Sequence, residues 1–187
     1  MSSDEAGEHP SKDAVQARLR ADIASLLPDL RGYARFLARD PAVADDVVQD
    51  GLVRALAALE QFQAGTNLKA WLFTIVRNAF YETARRRRRE LSSIGNGDLP
   101  QRTIPPDAER RAEIRDLQST IWTLPPLLRE ALILVGAQEM SYEEAATVCG
   151  VPVGTMKARV SRARTSLAAA MQRERDDGVR LHGSDDT

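Results

Sequence analysis

Apolar residues return at three- and four-residue steps along most of the chain, and no stretch alternates polar and apolar positions for long. That period belongs to helices, so the pattern predicts an all-α protein. Residues 12–27 form a first amphipathic stretch, stopped by Pro28, and residues 29–39 form a second. Asp40 followed by Pro41 then reads as a helix start. An aspartate oxygen can accept from the free amides of the first turn, and proline at the first position gives up an N–H that has no partner there. The helix runs to about Leu59, with Val43, Val47, Val48, Leu52, Leu56 and Leu59 at helical spacing and Asp45, Asp46, Gln49 and Asp50 on the opposite face.

Residues 60–67 are a connector, with Gly65 as breaker and Thr66 as the next cap. The helix from there to about Arg89 is the most periodic in the chain. Leu68, Trp71, Leu72, Ile75, Val76, Ala79, Phe80 and Thr83 make its stripe, and Lys69, Arg77, Asn78, Tyr81 and Arg85 lie on its flank. On spacing alone Trp71, Leu72, Ile75 and Phe80 are core, while Phe62 and Tyr81 fit base stacking and edge packing equally. Residues 91–106 concentrate Ser, Gly, Asn and Pro and read as a flexible linker between two domains. Residues 107–123 are helical, with Ile114, Leu117 and Ile121 on one side. Pro125 and Pro126 interrupt, and 127–138 is a strongly apolar helix.

The sharpest local signal follows. Ser141-Tyr142-Glu143-Glu144 is a capping box, in which the serine oxygen takes the third amide and Glu144 reaches back to the cap amide. The helix it opens ends at Cys149-Gly150, and Pro152 takes the first position of the final helix. Two helices joined by a short Gly-containing turn form a helix-turn-helix. In the last helix Met156, Val160, Ala163 and Leu167 point to the core, while Ala158, Ser161 and Thr165 face outward between Lys157 and Arg162. Small side chains flanked by cations suit a helix lying in a major groove.

Composition narrows the function classes. The chain has 187 residues, enough for one domain or two small ones. No apolar run approaches the roughly 20 residues that span a bilayer, and the polar start MSSDEAGEHP is no secretory signal. A single cysteine, Cys149, and two histidines, His9 and His182, leave no disulfide framework, zinc cluster or His-based site. No phosphate loop or Ser/His/Asp arrangement appears, so neither a cofactor nor an enzyme activity is expected, and the expected compartment is the cytoplasm. The net charge of −1 hides a segregation. Residues 1–60 carry a net −4, 61–90 a net +5, 91–150 a net −4 and 151–187 a net +2. Two basic blocks on helices are the footprint of two contacts with a polyanion. A solvated helix face is the plain reading of either block by itself.

Residues 125–171, with the strings S-Y-E-E-A-A and V-G-T-x-K-x-R-x-S-R-A-R, resemble the promoter-binding C-terminal domain of extracytoplasmic-function sigma factors. ADDVVQDGLVRAL and GTNLKAWLFTIVRNAFYETARRRRR, within residues 42–89, resemble the same family's N-terminal domain. REALILVGA and YEEAATVCG further resemble its alphaproteobacterial general-stress-response subgroup. The resemblance implies two small helical domains, the second a helix-turn-helix. Their bounds are a polar tail over 1–11, an N-terminal domain over 12–90, the 91–106 linker, a C-terminal domain over 107–172 and a polar tail over 173–187.

It also implies roles. Asp45, Asp46, Gln49, Asp50, Leu52 and Arg54 would dock on the beta-prime clamp helices of core RNA polymerase, with further contacts to the beta subunit. Phe62, Asn67, Lys69, Arg77, Asn78, Tyr81, Arg85 and Arg86 would meet the −10 element as melted single strand. Thr155, Lys157, Ala158, Arg159, Ser161 and Arg162 would read a GGAA-type −35 element as duplex. Many relatives carry serine where this chain has Ala158, which leaves a thymine methyl as that residue's partner. An anti-sigma protein is the further partner implied, meeting the apolar face of 127–138 and the acidic helix 41–59 and covering the polymerase-docking face. The two domains could open along the polymerase or close on each other. The competing functions are a stand-alone helix-turn-helix regulator and a sigma-like decoy for an anti-sigma protein. Against both stand the arginine run Arg85–Arg89 and, for the regulator, the acidic helix.

Overall fold

The computed structural model describes residues 11–63, 65–94 and 118–182, and among these there is helix and no strand. The elements are α1 (Lys12–Ser25), α2 (Leu27–Ala38), α3 (Pro41–Ala57), a single 3-10 turn (Leu59–Gln61) and α4 (Leu68–Ile94). After them come α5 (residues 118–123), α6 (Pro126–Leu132) continuing into a π-helical turn (Ile133–Ala137), α7 (Tyr142–Cys149) and α8 (Val153–His182). The linker expected from 95 to 106, the helix expected over 107–117 and the first ten residues lie outside the described residues.

Several boundaries move for local reasons. Pro28 does not stop α1. It sits in the first turn of α2, where a missing N–H costs nothing, so the break falls upstream at Leu26. Nor is α1 amphipathic in effect: Ile23 is its one buried residue, with Leu19 half-buried. Asp40 caps α3 as expected, its Oδ1 accepting from Ala42 N at 2.8 Å and Val43 N at 3.4 Å. The cap of α4 is Asn67 rather than Thr66, with Asn67 Oδ1 accepting from Ala70 N at 3.0 Å. α4 runs past the expected linker start to Ile94, and α8 runs through the expected polar tail to His182. Pro152 precedes α8 instead of opening it, and its carbonyl accepts from Met156 N at 3.1 Å.

The amino-terminal half is a bundle of α2, α3 and α4 around Leu30, Tyr33, Val47, Val48, Leu72, Phe73 and Val76. The buried stripe of α3 is Ala44, Val47, Val48, Gly51 and Ala55. Its small residues bring α3 close to α4, and this turns Leu56 outward to 50% exposure beside Val53 at 68%. Leu56 therefore leaves the core in which the periodicity places it. A Cβ on Gly51 would stand 2.8 Å from Val76 Cγ2 and 3.4 Å from Val76 Cα.

In the carboxy-terminal half α6 and α7 pack on α8 through Ala131, Leu134, Val148, Met156, Val160 and Ala163. The capping box of α7 is present, with Glu144 N donating to Ser141 Oγ at 3.1 Å and Ser141 N donating to Glu144 Oε2 at 2.7 Å. Gly150, at φ 63 and ψ 41, supplies the left-handed residue between α7 and α8. The helix-turn-helix is thus as the sequence predicts.

Gly51→Ala tests the close approach of α3 and α4. Alanine gains about 1 kcal/mol of helix propensity, but overpacking costs about 1–3 kcal/mol because Val76 is stiff at χ1. Urea denaturation should show a net loss of about 1 kcal/mol, and a gain would contradict the packing described.

A candidate promoter interface closed on itself

The two halves meet along α4. Glu130, on α6, is 2% exposed. A carboxylate so deep needs partners, and it finds three from the other half. Tyr33 Oη donates to Glu130 Oε1 at 2.9 Å. Arg77 donates from Nε to Oε1 at 2.7 Å and from Nη2 to Oε2 at 3.3 Å. Tyr81 Oη donates to Oε2 at 3.3 Å, and the Arg77 guanidinium lies 4.6 Å from the Tyr81 ring centroid.

The electrostatics follow from burial and from this carboxylate. Burial, then the charge of Glu130, pushes the Tyr81 phenol up to about 12. Burial raises Tyr33 well above its ordinary value, and Glu130 adds to it. Burial works to lower the Arg77 pKa, but its hydrogen bond to Glu130 and the charge of that carboxylate outweigh burial, so Arg77 ends raised. Cys149 is buried beside this cluster, and burial followed by the charge of Glu130 pushes its thiol up to about 12.

Flanking contacts extend the seam. Lys69 Nζ donates to the Gln138 carbonyl at 2.8 Å and pairs with Asp29 at 3.4 Å. The π-helical turn before Gln138 presents that carbonyl, since Gln138 N donates five residues back to Ile133 O at 2.9 Å. Asn67 Nδ2 donates to Glu144 Oε1, so the cap of α4 is joined to the capping box of α7. At the other end Trp122 stacks on Phe36 with centroids 6.3 Å apart, and the guanidiniums of Arg39 and Arg129 lie 4.5 Å and 4.0 Å from its ring.

The expected −10 residues therefore fall into two sets. Asn67, Lys69, Arg77 and Tyr81 are engaged across the seam, whereas Asn78, Arg85 and Arg86 are exposed. Phe62 is half-buried against Trp71, ring centroids 5.1 Å apart. Of the expected docking residues, Asp46, Gln49 and Arg54 are exposed and Asp45, Asp50 and Leu52 half-buried. Arg54 clamps α3 to α4, bonding Asp50 at 2.8 Å and Glu82 at 2.7 Å. On α8 Lys157, Ala158, Ser161 and Arg162 are exposed, with Thr155 and Arg159 half-buried, so the outward face has the predicted composition. Sequence reasoning missed Glu130, Val53 and Leu56. An acid inside an otherwise apolar helix, and a valine beside the acidic face of α3, were the available signals.

A helix-turn-helix with an open cationic face, joined to a second helix of basic and aromatic residues, defines a two-domain nucleic-acid-binding protein. Sigma-70 region 2 matches residues 23–90, and sigma-70 region 4 matches residues 114–167. The ECF RNA polymerase sigma factor EcfG of Rhodopseudomonas palustris is 44% identical over 169 residues, which is 90% of this chain and 92% of that one. The sigma factor RpoE of Bartonella quintana, solved in complex with the anti-sigma factor NepR, superposes with a TM-score of 0.76 at 39% identity, over 83% of this chain and 97% of that one. CnrH, solved with the cytosolic domain of CnrY, gives 0.62 at 29% identity over 84% and 89%. The chain belongs to the extracytoplasmic-function RNA polymerase sigma factors of the sigma-70 family. Core RNA polymerase and promoter DNA are its partners, and promoter-specific initiation is its function. The region 2 match replaces the oligomerisation module that a stand-alone regulator would carry there.

The raised thiol gives a pH dependence with a definite sign. The free thiol titrates near ~8.5. The folded chain holds that proton more tightly, so Cys149 contributes stability that is complete below the unfolded value and is lost as pH rises toward about 12. Wild type and Cys149→Ala should have parallel urea midpoints below pH ~8, and wild type should fall faster above ~9, by at most about 1.4 kcal/mol per pH unit. Equal slopes in the alkaline range would contradict the burial of the thiol.

Proposed function

We propose that this sigma factor serves a general stress response and is held by a small anti-sigma protein until the stress releases it. The support is the resemblance of REALILVGA and YEEAATVCG to the general-stress-response subgroup, together with the solved complex of the similar RpoE with NepR. Exposed Leu127 on α6 and exposed Val53 and Leu56 on α3 are apolar positions in the two elements expected to meet such a partner.

The division of labour along the promoter rests on the chemistry of three helices. The outer face of α3 docks on core polymerase. Asp46 and Gln49 repel or ignore DNA, and Val53 and Leu56 leave apolar surface that a protein partner would cover. This pair, 68% and 50% exposed in a bundle with a filled core, is the observation that carries the assignment. On α4 and the connector before it, Phe62, Asn67, Lys69, Arg77, Asn78, Tyr81, Arg85 and Arg86 offer a stacking ring, amides and cations to melted −10 DNA. On α8, Thr155, Lys157, Ala158, Arg159, Ser161 and Arg162 face a −35 duplex, small groups toward bases and cations toward phosphate or guanine.

Run-off transcription with purified core polymerase and a −10/−35 template is the test. Wild type should give a promoter-dependent transcript with no other sigma subunit. Asp46→Lys combined with Val53→Asp should weaken core-polymerase binding at least about tenfold, the effect of ~1.4 kcal/mol, and leave binding to −35 duplex unchanged. Unchanged core affinity would remove the docking face from α3.

A further inference from the structure

We infer that Arg39 and Arg129 form a phosphate-binding site at the Trp122 end of the seam, one that takes inorganic phosphate or a small phosphate monoester. Neither arginine is among the residues assigned above to polymerase, −10 or −35 contacts, so the site is separate from those surfaces.

The two guanidiniums come from opposite halves and lie against one ring, 4.5 Å and 4.0 Å from the Trp122 centroid. Arg39 is exposed and Arg129 half-buried. Like charges brought together repel, and burial, then the charge of Arg39, lowers the Arg129 pKa. Neither guanidinium pairs with a carboxylate among the described residues. The acids next to them in sequence are committed elsewhere. Asp40 caps the amides of Ala42 and Val43, and Glu130 is held by Tyr33, Arg77 and Tyr81. Arg129 donates from Nη1 to the Trp122 carbonyl at 3.4 Å, which leaves most of the N–H groups of the two side chains without an acceptor among the described residues.

The backbone adds a second observation. α2 ends on Arg39 at φ 59 and ψ −38, on the positive-φ side where glycine is the usual helix-ending residue. A bulky side chain is strained there, and such strain persists where the surroundings hold it in place. Arginine keeps a guanidinium over the indole that glycine would not supply. Two fixed monocations match a dianion, and their planar forks match the oxygens of a phosphate. A carboxylate would cancel half of that charge. Phe36 is also stacked on the indole, so the ring is engaged and a ligand is offered charge and N–H donors instead of a face for a nucleobase. Arg35, exposed in the last turn of α2, adds to the positive potential.

The test is calorimetric titration of the full chain with inorganic phosphate at pH ~8, where a phosphate is mostly dianionic, against chloride of matched ionic strength. Wild type should bind one phosphate saturably, and phosphate should raise its urea midpoint. Arg39→Gly gives the helix end the residue its backbone favours and removes the guanidinium. It should keep the helical circular dichroism of wild type, bind phosphate at least about tenfold more weakly and show no midpoint shift. Arg129→Lys keeps the charge but loses the fork, and it should bind about threefold more weakly. Arg173→Gln removes an exposed cation elsewhere on the surface and should bind as wild type does. Adenosine monophosphate separates the sources: affinity equal to that of phosphate assigns the site to phosphate esters, weaker affinity assigns it to free phosphate, and either upholds it. The site is overturned if wild type shows neither saturable heat nor a midpoint shift. It is equally overturned if Arg39→Gly binds phosphate as wild type does, or loses no more affinity than Arg173→Gln.

Discussion

One buried carboxylate organises this molecule. Glu130 is held by Tyr33, Arg77 and Tyr81, which belong to the other half of the chain, and among the described residues that half supplies every side-chain hydrogen bond it accepts. A buried ion is tolerable only when its partners are in place, and loss of the charged one, here Arg77, costs about 3–5 kcal/mol. The two halves are therefore coupled through the one group that neither can satisfy alone. Further cross-seam contacts, from Asn67 to Glu144, Lys69 to Gln138, and Phe36 and Arg39 to Trp122, sit on either side of that point.

The coupling changes how the surfaces of a sigma factor are read. Exposure has been sorted by task. The outer face of α3 and the outer face of α8 are open in the closed arrangement, with Asp46, Val53 and Leu56 on one and Lys157, Ser161 and Arg162 on the other. The basic and aromatic flank of α4 is largely withdrawn, although Arg85 and Arg86 beyond it stay exposed. The helices proposed to read duplex, to dock on protein and to read single strand thus have different availability in the same state.

Much of this was legible in the chain itself. The helical period gave α2, α3, α4 and the helix-turn-helix, because each of these buries one stripe against its own domain and the stripe shows in sequence. The Asp40 and Ser141 caps were legible because their side-chain oxygens lie beside the amides they satisfy. What could not be read was the second burial of α4. Lys69, Arg77 and Tyr81 look like a solvated flank, since their partners Gln138 and Glu130 are some fifty to seventy residues distant. Leu56 failed for a related reason. Helical spacing places it with the core, but Ala44, Gly51 and Ala55 let α3 settle so closely on α4 that the stripe rotates and leaves Leu56 outside. The break before α2 moved because proline constrains what precedes it rather than where it stands.

Whether the halves close in the free chain and part on the promoter is decided by one distance between them. Energy transfer between dyes on Gln61→Cys and Ser166→Cys, both exposed sites in opposite halves, measures this in a Cys149→Ala background. The free protein should show one short distance, and the complex with core polymerase and promoter DNA a longer one. The same distance in both states would show that Glu130 keeps its donors during initiation, and the central claim would fail.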